Sequence, residues 1–517
     1  MDNKNLPNDT EALKSIIVDY QEQISYLEEK ISYLQKVIFS STSEKKKDTQ
    51  HPQNHLLLPG LEEPKPDKTE PVTVTVPEHS RKKRGRKPLP QELPREDIVH
   101  DLPEEEKTCP CGTSMACIGQ EASEKLDYVP AKLRVERHIR LKYACRECEG
   151  VESDQGAVKI APMPAQIIPQ GIVTPGLLAH IMVAKFVDAL PFYRQESQFA
   201  RLGIELSRST MVSWAMSVAR ACEPLVGLFK EELLAHNILN IDETTVQVLQ
   251  EENRAAATKS YMWVFLGGQQ DRPTVLFEYH PTRSGQALDF LQSFTGTIQT
   301  DGYVSYNALG EQPGVIHVGC LAHIRRKFMD VIKISKRERT KGGTAQEIVN
   351  LIGQIYKMEK DLALQKLEPD RIKEQRQKHI VPILDTIKAI LDQRAATTPP
   401  KSQLGKAIAY ALNQWDRVVR YTEDGRLRPD NNLVENAIRP IALGRKNWLF
   451  AGHPNGAKAG ALFFSLIETA KQNNLEPYVY LRYLFEQLPL AKDKEEVRQL
   501  MPQHIDPALI SPLSTAD

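Results

Sequence analysis

Three carboxylate residues occupy positions from which they could perform metal-dependent chemistry on phosphate esters: Asp242, Asp301 and Glu435. Clustered carboxylates repel one another and are costly to bury, so a site that contains all three implies a divalent cation. Two Mg²⁺ ions about 3.5–4 Å apart activate an attacking hydroxyl and stabilise the leaving oxygen of a phosphodiester. The first hypothesis is therefore a phosphoryl-transfer site that binds two Mg²⁺ or Mn²⁺ ions.

Strand-like segments are expected to position the first two acids. Asp242 lies midway along the first predicted strand, where its neighbour Glu243 points to the opposite face, and Asp301 ends the fourth. The predicted strands span 238–248, 261–266, 274–279, 296–302 and 315–319, with helices at 285–294 and 323–331. This order is the framework of an RNase-H-like fold, in which the first and fourth strands are neighbours and bring Asp242 and Asp301 together.

The third acid, Glu435, lies on a predicted helix that begins at Asp430 or Asn431, both of which are favourable N-cap residues. Glu435 shares its helix face with Arg439, so a surface Glu–Arg pair is the alternative interpretation. The second and third acids are separated by 435 − 301 = 134 residues, which is too many for a plain fifth strand and helix. A helical insertion is therefore predicted at about 335–420, where the sequence is rich in Lys, Glu and Gln.

The N-terminal region combines a coiled-coil pattern with a linker. Apolar residues recur with alternating steps of four and three, which is the 3.5-residue period of a parallel two-stranded coiled coil. They are Leu13, Ile17, Tyr20, Ile24, Leu27, Ile31, Leu34 and Ile38. This pattern predicts dimerisation through residues 1–45, although a helix that packs on its own core would look similar. Residues 46–100 are rich in Pro, Lys and Glu and predict a disordered linker.

Two close cysteine pairs predict a zinc-ribbon-like module over residues 101–160. Four thiolates around one structural Zn²⁺ would stabilise a segment too small to form its own core. The predicted ligands are Cys109, Cys111, Cys145 and Cys148. Because the first pair has Cys-x-Cys spacing, Cys117 is an alternative ligand. Seven cysteines, an odd number, argue against a disulfide framework.

Basic residues in three segments are predicted to contact the DNA backbone. The run at 81–88 resembles an AT-hook, an extended strip for the narrow minor groove of A·T-rich DNA. Residues 132–143 alternate basic and apolar side chains, which predicts a strand with one buried and one basic face, although a solvated face would look alike. Gly444 is expected to end the helix of Glu435 before a basic turn. The residues assigned to DNA contact are Arg84, Arg86, Arg134, Arg140, Lys142, Arg445 and Lys446.

Residues 161–236 predict helices separated by a short turn at Gly203, with Ser209 as the N-cap of the third helix. This arrangement is typical of a helix-turn-helix, although ordinary helical packing produces the same pattern. Residues 471–517 predict a C-terminal helical tail. The chain is therefore expected to be a multidomain α/β protein whose RNase-H-like catalytic domain, 237–470, follows these N-terminal modules.

Composition and charge limit the class of protein. The 517 residues allow two to four domains, and the apolar share of 41% is sufficient for at least one large core. Lys+Arg and Asp+Glu both number 67, so net charge does not indicate a nucleic-acid partner. The sequence contains no run of eighteen apolar residues, and its start is unlike a signal peptide. A cytoplasmic protein without membrane association is expected.

Several passages, in this order, resemble DDE transposases of the insertion-sequence-66 family over nearly the whole chain. They are the N-terminal heptads, RKKRGRKPLP, LDYVPAKLRVERHIRLKYACREC, NIDETTVQV, QTDGYVSYN, HVGCLAHIRRKF and DNNLVENAIRPIALGRKNWLFAG. The resemblance implies that Asp242, Asp301 and Glu435 are the catalytic triad. It also matches Cys320 and His323 to a Cys-x-x-His signature of the family, whose side chains either bind metal or pack.

The resemblance further implies metal-dependent cleavage and strand transfer at the terminal inverted repeats of a bacterial insertion element. The implied partners are the terminal repeats, target DNA, further copies of the chain in a dimer or larger oligomer, and accessory proteins of the same element. The implied location is the bacterial nucleoid. Two alternatives remain open, namely an RNase-H-like nuclease that cuts without joining and a zinc-dependent DNA-binding regulator.

Overall fold

The computed structural model describes residues 133–144, 158–268, 272–335 and 342–510. The predicted coiled coil, the linker with Arg84 and Arg86, and the cysteines Cys109, Cys111, Cys145 and Cys148 lie outside the described residues. The chain divides into two compact units, each described by itself: one is Thr42–Ile139 and the other combines Met1–Ser41 with Arg140–Asp517.

The alternating basic segment contains only a short strand. Strand β1 (Lys142–Ala144) pairs antiparallel with β2 (Val158–Ile160). The predicted buried apolar face is wrong for these residues, because Val135 is 92% exposed, Ile139 72% and Tyr143 65%. Within the described part of this segment, a two-stranded ribbon has no second layer to cover one face, so apolar and basic side chains both reach the surface.

A five-stranded mixed sheet forms the centre of the larger unit. Its strands are β3 (Ile238–Gln247), β4 (Lys259–Gly267), β5 (Thr274–His280), β6 (Gly296–Gln299) and β7 (Val315–Val318). The spatial order is β5-β4-β3-β6-β7, with β6 parallel to both β3 and β7 and the other pairs antiparallel. The predicted pairing of the first and fourth of these strands is confirmed. The helix predicted at 285–294 is a 3₁₀ helix over Gly285–Leu291.

Helices surround this sheet and extend beyond it. They are α1 (Pro175–Phe186), α2 (Phe192–Arg201), α3 (Arg208–Ala221), α4 (Pro224–Ala235), α5 (Tyr306–Gly310), α6 (Leu321–Ile334), α7 (Thr344–Leu364), α8 (Pro369–His379), α9 (Val381–Ala395), α10 (Gln403–Val419), α11 (Asn432–Trp448), α12 (Pro454–Gln472), α13 (Pro477–Gln487) and α14 (Lys494–Gln499). One hydrophobic cluster joins the sheet to α1–α4 and to α11–α13, and a second joins α6 to α7, α9 and α10. None of the helices in the described ranges is both long and apolar enough to cross a membrane.

Helix α12 covers the outer edge of β5 with two hydroxyl side chains. Ser465 accepts a hydrogen bond from the backbone N–H of Phe277 at 2.8 Å, and Thr469 accepts one from Val275 at 2.9 Å. These bonds satisfy strand groups that would otherwise be unpaired at a sheet edge. The C-terminal helices therefore belong to the same core as the sheet.

The four helices before the sheet begin and end largely where local sequence signals place them. Thr174 caps α1 by accepting from the backbone N–H of Leu177 at 3.2 Å. The cap of α3 is Ser207, which accepts from Thr210 N, so the prediction of Ser209 as the cap is wrong. Gly203 lies in the turn between α2 and α3 with φ of +82°, a conformation that favours glycine.

The predicted insertion is helical, with α7–α10 between β7 and α11. Buried Arg376 on α8 makes two parallel hydrogen bonds to Glu359 at 2.9 and 2.8 Å. Its guanidinium also donates to the backbone carbonyls of Tyr421, Asp424 and Leu427. One desolvated side chain, paired and fully hydrogen-bonded, therefore holds the loop that leads to α11.

Helix α11 continues past Gly444, which corrects the prediction that this glycine ends the helix. A Cβ atom at Gly444 would lie 2.2 Å from the ring of Trp448. Glycine is therefore accommodated because it lets an aromatic side chain pack against the helix backbone. Arg445 and Lys446 lie in the last turn of α11 instead of in a separate basic turn.

Candidate active site

Asp242 lies in the middle of β3, where its carboxylate is mostly buried and close to other acids. Its Oδ1 atom accepts a hydrogen bond from the backbone N–H of Glu243 at 2.9 Å. Burial, with the negative charges of Glu243, Asp301 and Glu435, raises the pKa of Asp242 to about 8. The charges of Asp301 and Glu435 act on the Asp242 carboxyl, so the three acids predicted from the sequence lie in the same region of the fold.

Asp301 reaches this place through the register of the parallel strands. Asn240 of β3 lies opposite Gln299 of β6, and Asp242 and Asp301 each follow two residues later. Strand β6 ends at Gln299, so Asp301 lies in the loop beyond the strand and does not end it as predicted. The Oδ1 atom of Asp301 accepts from the backbone N–H of Tyr303 at 2.9 Å, which orients the carboxylate.

Glu435 projects from the first turn of α11 towards α6. Its Oε2 atom lies 3.5 Å from Arg326 Nη2, and its Oε1 atom lies 3.9 Å from His323 Nε2. In the described chain these two residues, and not Arg439, are its ionic neighbours. The surface Glu–Arg pair considered above is therefore wrong.

Cys320 and His323 lie beside Glu435, and each of the three residues offers one ligand atom within 4.8 Å of the others. The Cys320 Sγ atom accepts a hydrogen bond from the backbone N–H of Asn431 at 3.3 Å. Burial raises the pKa of this thiol to about 12, and burial with the charge of Arg326 lowers the pKa of His323. A neutral thiol and a neutral imidazole therefore flank the start of α11.

The residues present fit a divalent cation. Asp242 has a raised pKa because like charges share a buried space, and a bound cation would reverse this effect. Glu435 Oε1 is a buried oxygen that has no hydrogen bond to the described residues. Three carboxylates are hard oxygen ligands of the type that Mg²⁺ and Mn²⁺ prefer.

Glu243 is a further buried acid in this region, and its structural role was not anticipated from the sequence. Its side chain is 1% exposed and forms an ion pair with Arg283. The hydroxyl of Tyr306 donates to the second oxygen of Glu243. The partners are 40 and 63 residues away along the chain, so no local sequence signal could have identified them.

The described residues among those predicted to contact DNA differ in exposure and in the hydrogen bonds that they already make within the protein. Arg445 is half-buried and donates to the backbone carbonyl and hydroxyl of Thr245, which attaches the end of α11 to β3, whereas Lys446 is exposed. Arg140 is exposed, but its Nε atom donates to the carbonyl of Ala161 at 2.7 Å. The other two described residues, Arg134 and Lys142, are exposed.

Comparison with known proteins gives matches along most of the chain. The model of the "Transposase IS66 family" matches residues 170–459 and that of its zinc-finger binding domain residues 106–149. The "IS66 C-terminal element" matches 465–503, and "Transposase C of IS166 homeodomain" matches 26–98. These matches include the region of the three acids and the four predicted zinc ligands.

Two relatives come from Sinorhizobium fredii (strain NBRC 101917 / NGR234). Protein y4jD is 34% identical over 507 residues, which cover 93% of this chain and 93% of the relative. Protein y4qI is 32% identical over 441 residues, which cover 83% of this chain and 78% of the relative. The family matches, together with this near full-length similarity, show that the chain belongs to the IS66 family of transposases.

Proposed function

We propose that this transposase cleaves the ends of a bacterial insertion element and joins them to target DNA, with Asp242, Asp301 and Glu435 as its catalytic triad. The main support is the parallel pairing of Asn240 on β3 with Gln299 on β6, because Asp242 and Asp301 each follow two residues later, Asp301 in the loop after its strand. The strand order also supports an RNase-H-like catalytic domain at 237–470 with a helical insertion.

The proposed reaction has two transfers of one phosphoryl group each. In cleavage, the oxygen of water bonds to phosphorus while the bond from phosphorus to O3′ breaks, which leaves a 3′-hydroxyl at the element's end. In joining, this hydroxyl attacks a phosphodiester of target DNA and releases a 3′-hydroxyl from the target. Neither transfer requires a covalent intermediate with the protein.

The three acids would hold two Mg²⁺ or Mn²⁺ ions. When bound, these ions supply activation of the attacking hydroxyl and neutralisation of charge on the leaving oxygen. Arg326 lies beside Glu435 with 55% of its side chain exposed, so it places positive charge where a DNA phosphate must approach.

The remaining modules are assigned to binding and assembly. The zinc-finger match supports one structural Zn²⁺ on Cys109, Cys111, Cys145 and Cys148. DNA contact is proposed for the linker run, the 133–144 segment, the helix-turn-helix-like α1–α3 and Lys446. A dimer formed through residues 1–45 is proposed, and accessory proteins of the same element are proposed partners.

The direct test uses DNA that contains the element's ends. Asp301→Ala and Glu435→Ala should reduce cleavage and joining to background while DNA binding stays near wild type, because these acids are assigned to metal and not to phosphate. Asp289→Ala is the matched control, since Asp289 is an exposed acid on the 3₁₀ helix. Cleavage without joining by the wild type would support a nuclease, and near wild-type cleavage by both variants would refute the triad.

A further inference from the structure

Each structural element that contributes a proposed catalytic acid also contributes one buried amide side chain. The pairs are Asn240 with Asp242 on β3, Gln299 with Asp301 on and after β6, and Asn431 with Glu435 at the start of α11. The exposed fractions of Asn240, Gln299 and Asn431 are 1%, 2% and 1%. These three residues are called the amide triad below.

The amides of the triad are hydrogen-bonded to one another. Asn240 Nδ2 donates to Gln299 Oε1 at 3.2 Å and to Asn431 Oδ1 at 2.7 Å. One side chain of the central strand therefore binds both the neighbouring strand and the residue just before α11. The bonds join parts of the chain that are 59 and 191 residues apart.

Backbone carbonyls fix the orientation of the outer two amides. Gln299 Nε2 donates to the carbonyls of Gly319 and Arg428, at 3.4 and 2.7 Å. Asn431 Nδ2 donates to the carbonyl of Ile241 at 2.9 Å. Because a carbonyl can only accept, both outer amides must turn their oxygens towards the central Asn240, which in turn must donate. All of these hydrogen bonds can therefore form together only when β3, β6 and the start of α11 keep their present relative positions.

Neutral amide side chains fix the contact among β3, β6 and the start of α11 better than apolar or carboxylate side chains would. Apolar side chains would fill the space without fixing a register, since the hydrophobic effect has no direction. Carboxylates would add negative charge beside three acids that already repel one another. Buried hydrogen bonds weaken steeply with distance and angle, so a shift of one element relative to another is opposed by the whole network.

We infer that the amide triad positions the catalytic acids by fixing the separations among β3, β6 and the start of α11. Each acid lies two to four residues from its amide, so a displacement of the amide is transmitted through about one helical turn or one strand repeat. The inference rests on the proposed function of the three acids. It assigns Asn240, Gln299 and Asn431 as positioning residues that do not themselves contact metal or DNA.

The test compares two buried glutamines in the full-length protein. Gln299→Met keeps the length of the side chain but removes both donations to backbone carbonyls. Gln195 on α2 is the matched control, because it is 1% exposed and its Nε2 atom donates to the carbonyls of Ile181 and Leu190 at 3.2 and 3.0 Å. Mn²⁺ binding is measured by calorimetry, thermal unfolding by circular dichroism, and DNA cleavage as a function of Mn²⁺ concentration. Asp301→Ala defines the part of Mn²⁺ binding that depends on the acids.

Gln299→Met should weaken acid-dependent Mn²⁺ binding about tenfold or more, the range for residues that orient metal ligands. The Mn²⁺ concentration for half-maximal cleavage should rise in parallel. Gln195→Met should lower the unfolding temperature and leave Mn²⁺ affinity unchanged. A folded Gln299→Met variant with wild-type Mn²⁺ affinity would overturn the inference.

Two further outcomes keep the test decisive. If Gln299→Met does not fold, Asn240→Leu decides in the same assays, because it removes the two bonds inside the triad and leaves those of Gln299 to the backbone. If Asp301→Ala alters neither Mn²⁺ binding nor cleavage, the proposed function fails. If Gln299→Met binds Mn²⁺ and cleaves DNA as the wild type does, while Asp301→Ala reduces both, only the positioning role is refuted.

Discussion

Replacing Asp242 with asparagine should stabilise the protein in the absence of divalent ions. Burial and the neighbouring acids raise the pKa of this carboxyl from 3.8 to about 8 in the folded state. An acid with a raised folded-state pKa loses its proton more readily in the unfolded chain. The wild-type protein should therefore lose stability as the pH rises from about 4 to about 8.

The size of the effect follows from the shift. The value pH 7 is about three units above the unfolded-state pKa of this carboxyl. Each unit corresponds to about 1.4 kcal/mol in the free energy of unfolding. The ionisable carboxyl therefore costs up to about 4 kcal/mol at pH 7 and almost nothing at pH 4. Asparagine cannot ionise, yet its side-chain oxygen can still accept the 2.9 Å hydrogen bond from the backbone N–H of Glu243. The strand of Asp242 shares one hydrophobic cluster with residues from Ile167 to Ile510, so more than 300 residues unfold with it. At about 2.1 cal/mol/K of unfolding entropy per residue, such a gain raises the unfolding temperature by about 5–6 °C.

The assay is thermal unfolding of wild type and Asp242→Asn from pH 4.5 to 8.5 without added divalent ions. The difference in unfolding temperature should grow with pH, and added Mg²⁺ should narrow it by stabilising the wild type more than the variant. Asp289→Asn should follow the wild type at every pH, because Asp289 is exposed. Equal unfolding temperatures for wild type and Asp242→Asn at pH 8 would refute the idea that the acid cluster destabilises the metal-free fold.

Three other substitutions give separate expectations. Glu243→Ala should destabilise the fold by about 1–3 kcal/mol, because it removes the acceptor of the buried Tyr306 hydroxyl and the partner of Arg283, whose side chain is 36% exposed. Chemical denaturation measures this loss. The full-length protein should contain about one Zn²⁺ per chain, and Cys145→Ser should remove it in elemental analysis; unchanged zinc content would contradict the ligand assignment. Asp at both Ile24 and Ile31 should dissociate the proposed dimer in light scattering, whereas an unchanged mass would show that the heptad residues do not hold the assembly together.

The strands and the acids were predictable because their signals are local. Short runs of apolar, β-branched and aromatic residues indicated the five strands of the sheet, and the strand order of an RNase-H-like fold predicted that Asp242 lies near Asp301. The position of Glu435 on a helix followed from the N-cap residues and the apolar spacing after them. For the strands and for the helix of Glu435, a window of about ten residues contained the necessary information, whereas the proximity of Asp242 and Asp301 followed from the strand order.

The rest depended on contacts between distant parts of the chain. Gly444 was expected to break α11, but its missing side chain makes room for the ring of Trp448. The apolar side chains at 133–143 were expected to be buried, although alternation alone cannot supply the layer that would cover them. The amide triad joins residues 59 and 191 positions apart, and single Asn and Gln residues have no periodicity that would reveal such a network.

The long insertion between the second and third acids raises the question of how Glu435 is kept in place. The segment just before α11 is bound by several elements: Leu321 N donates to the carbonyl of Pro429 at 2.8 Å, and Cys320 Sγ accepts from Asn431 N at 3.3 Å. Buried Arg376, on the insertion, donates to the carbonyl of Leu427 at 2.9 Å. Glu435 lies one helical turn after this clamped segment, so its position depends on these bonds and not on the length of the chain that precedes it. The insertion therefore supports the third acid from one side while the amide triad supports it from the sheet.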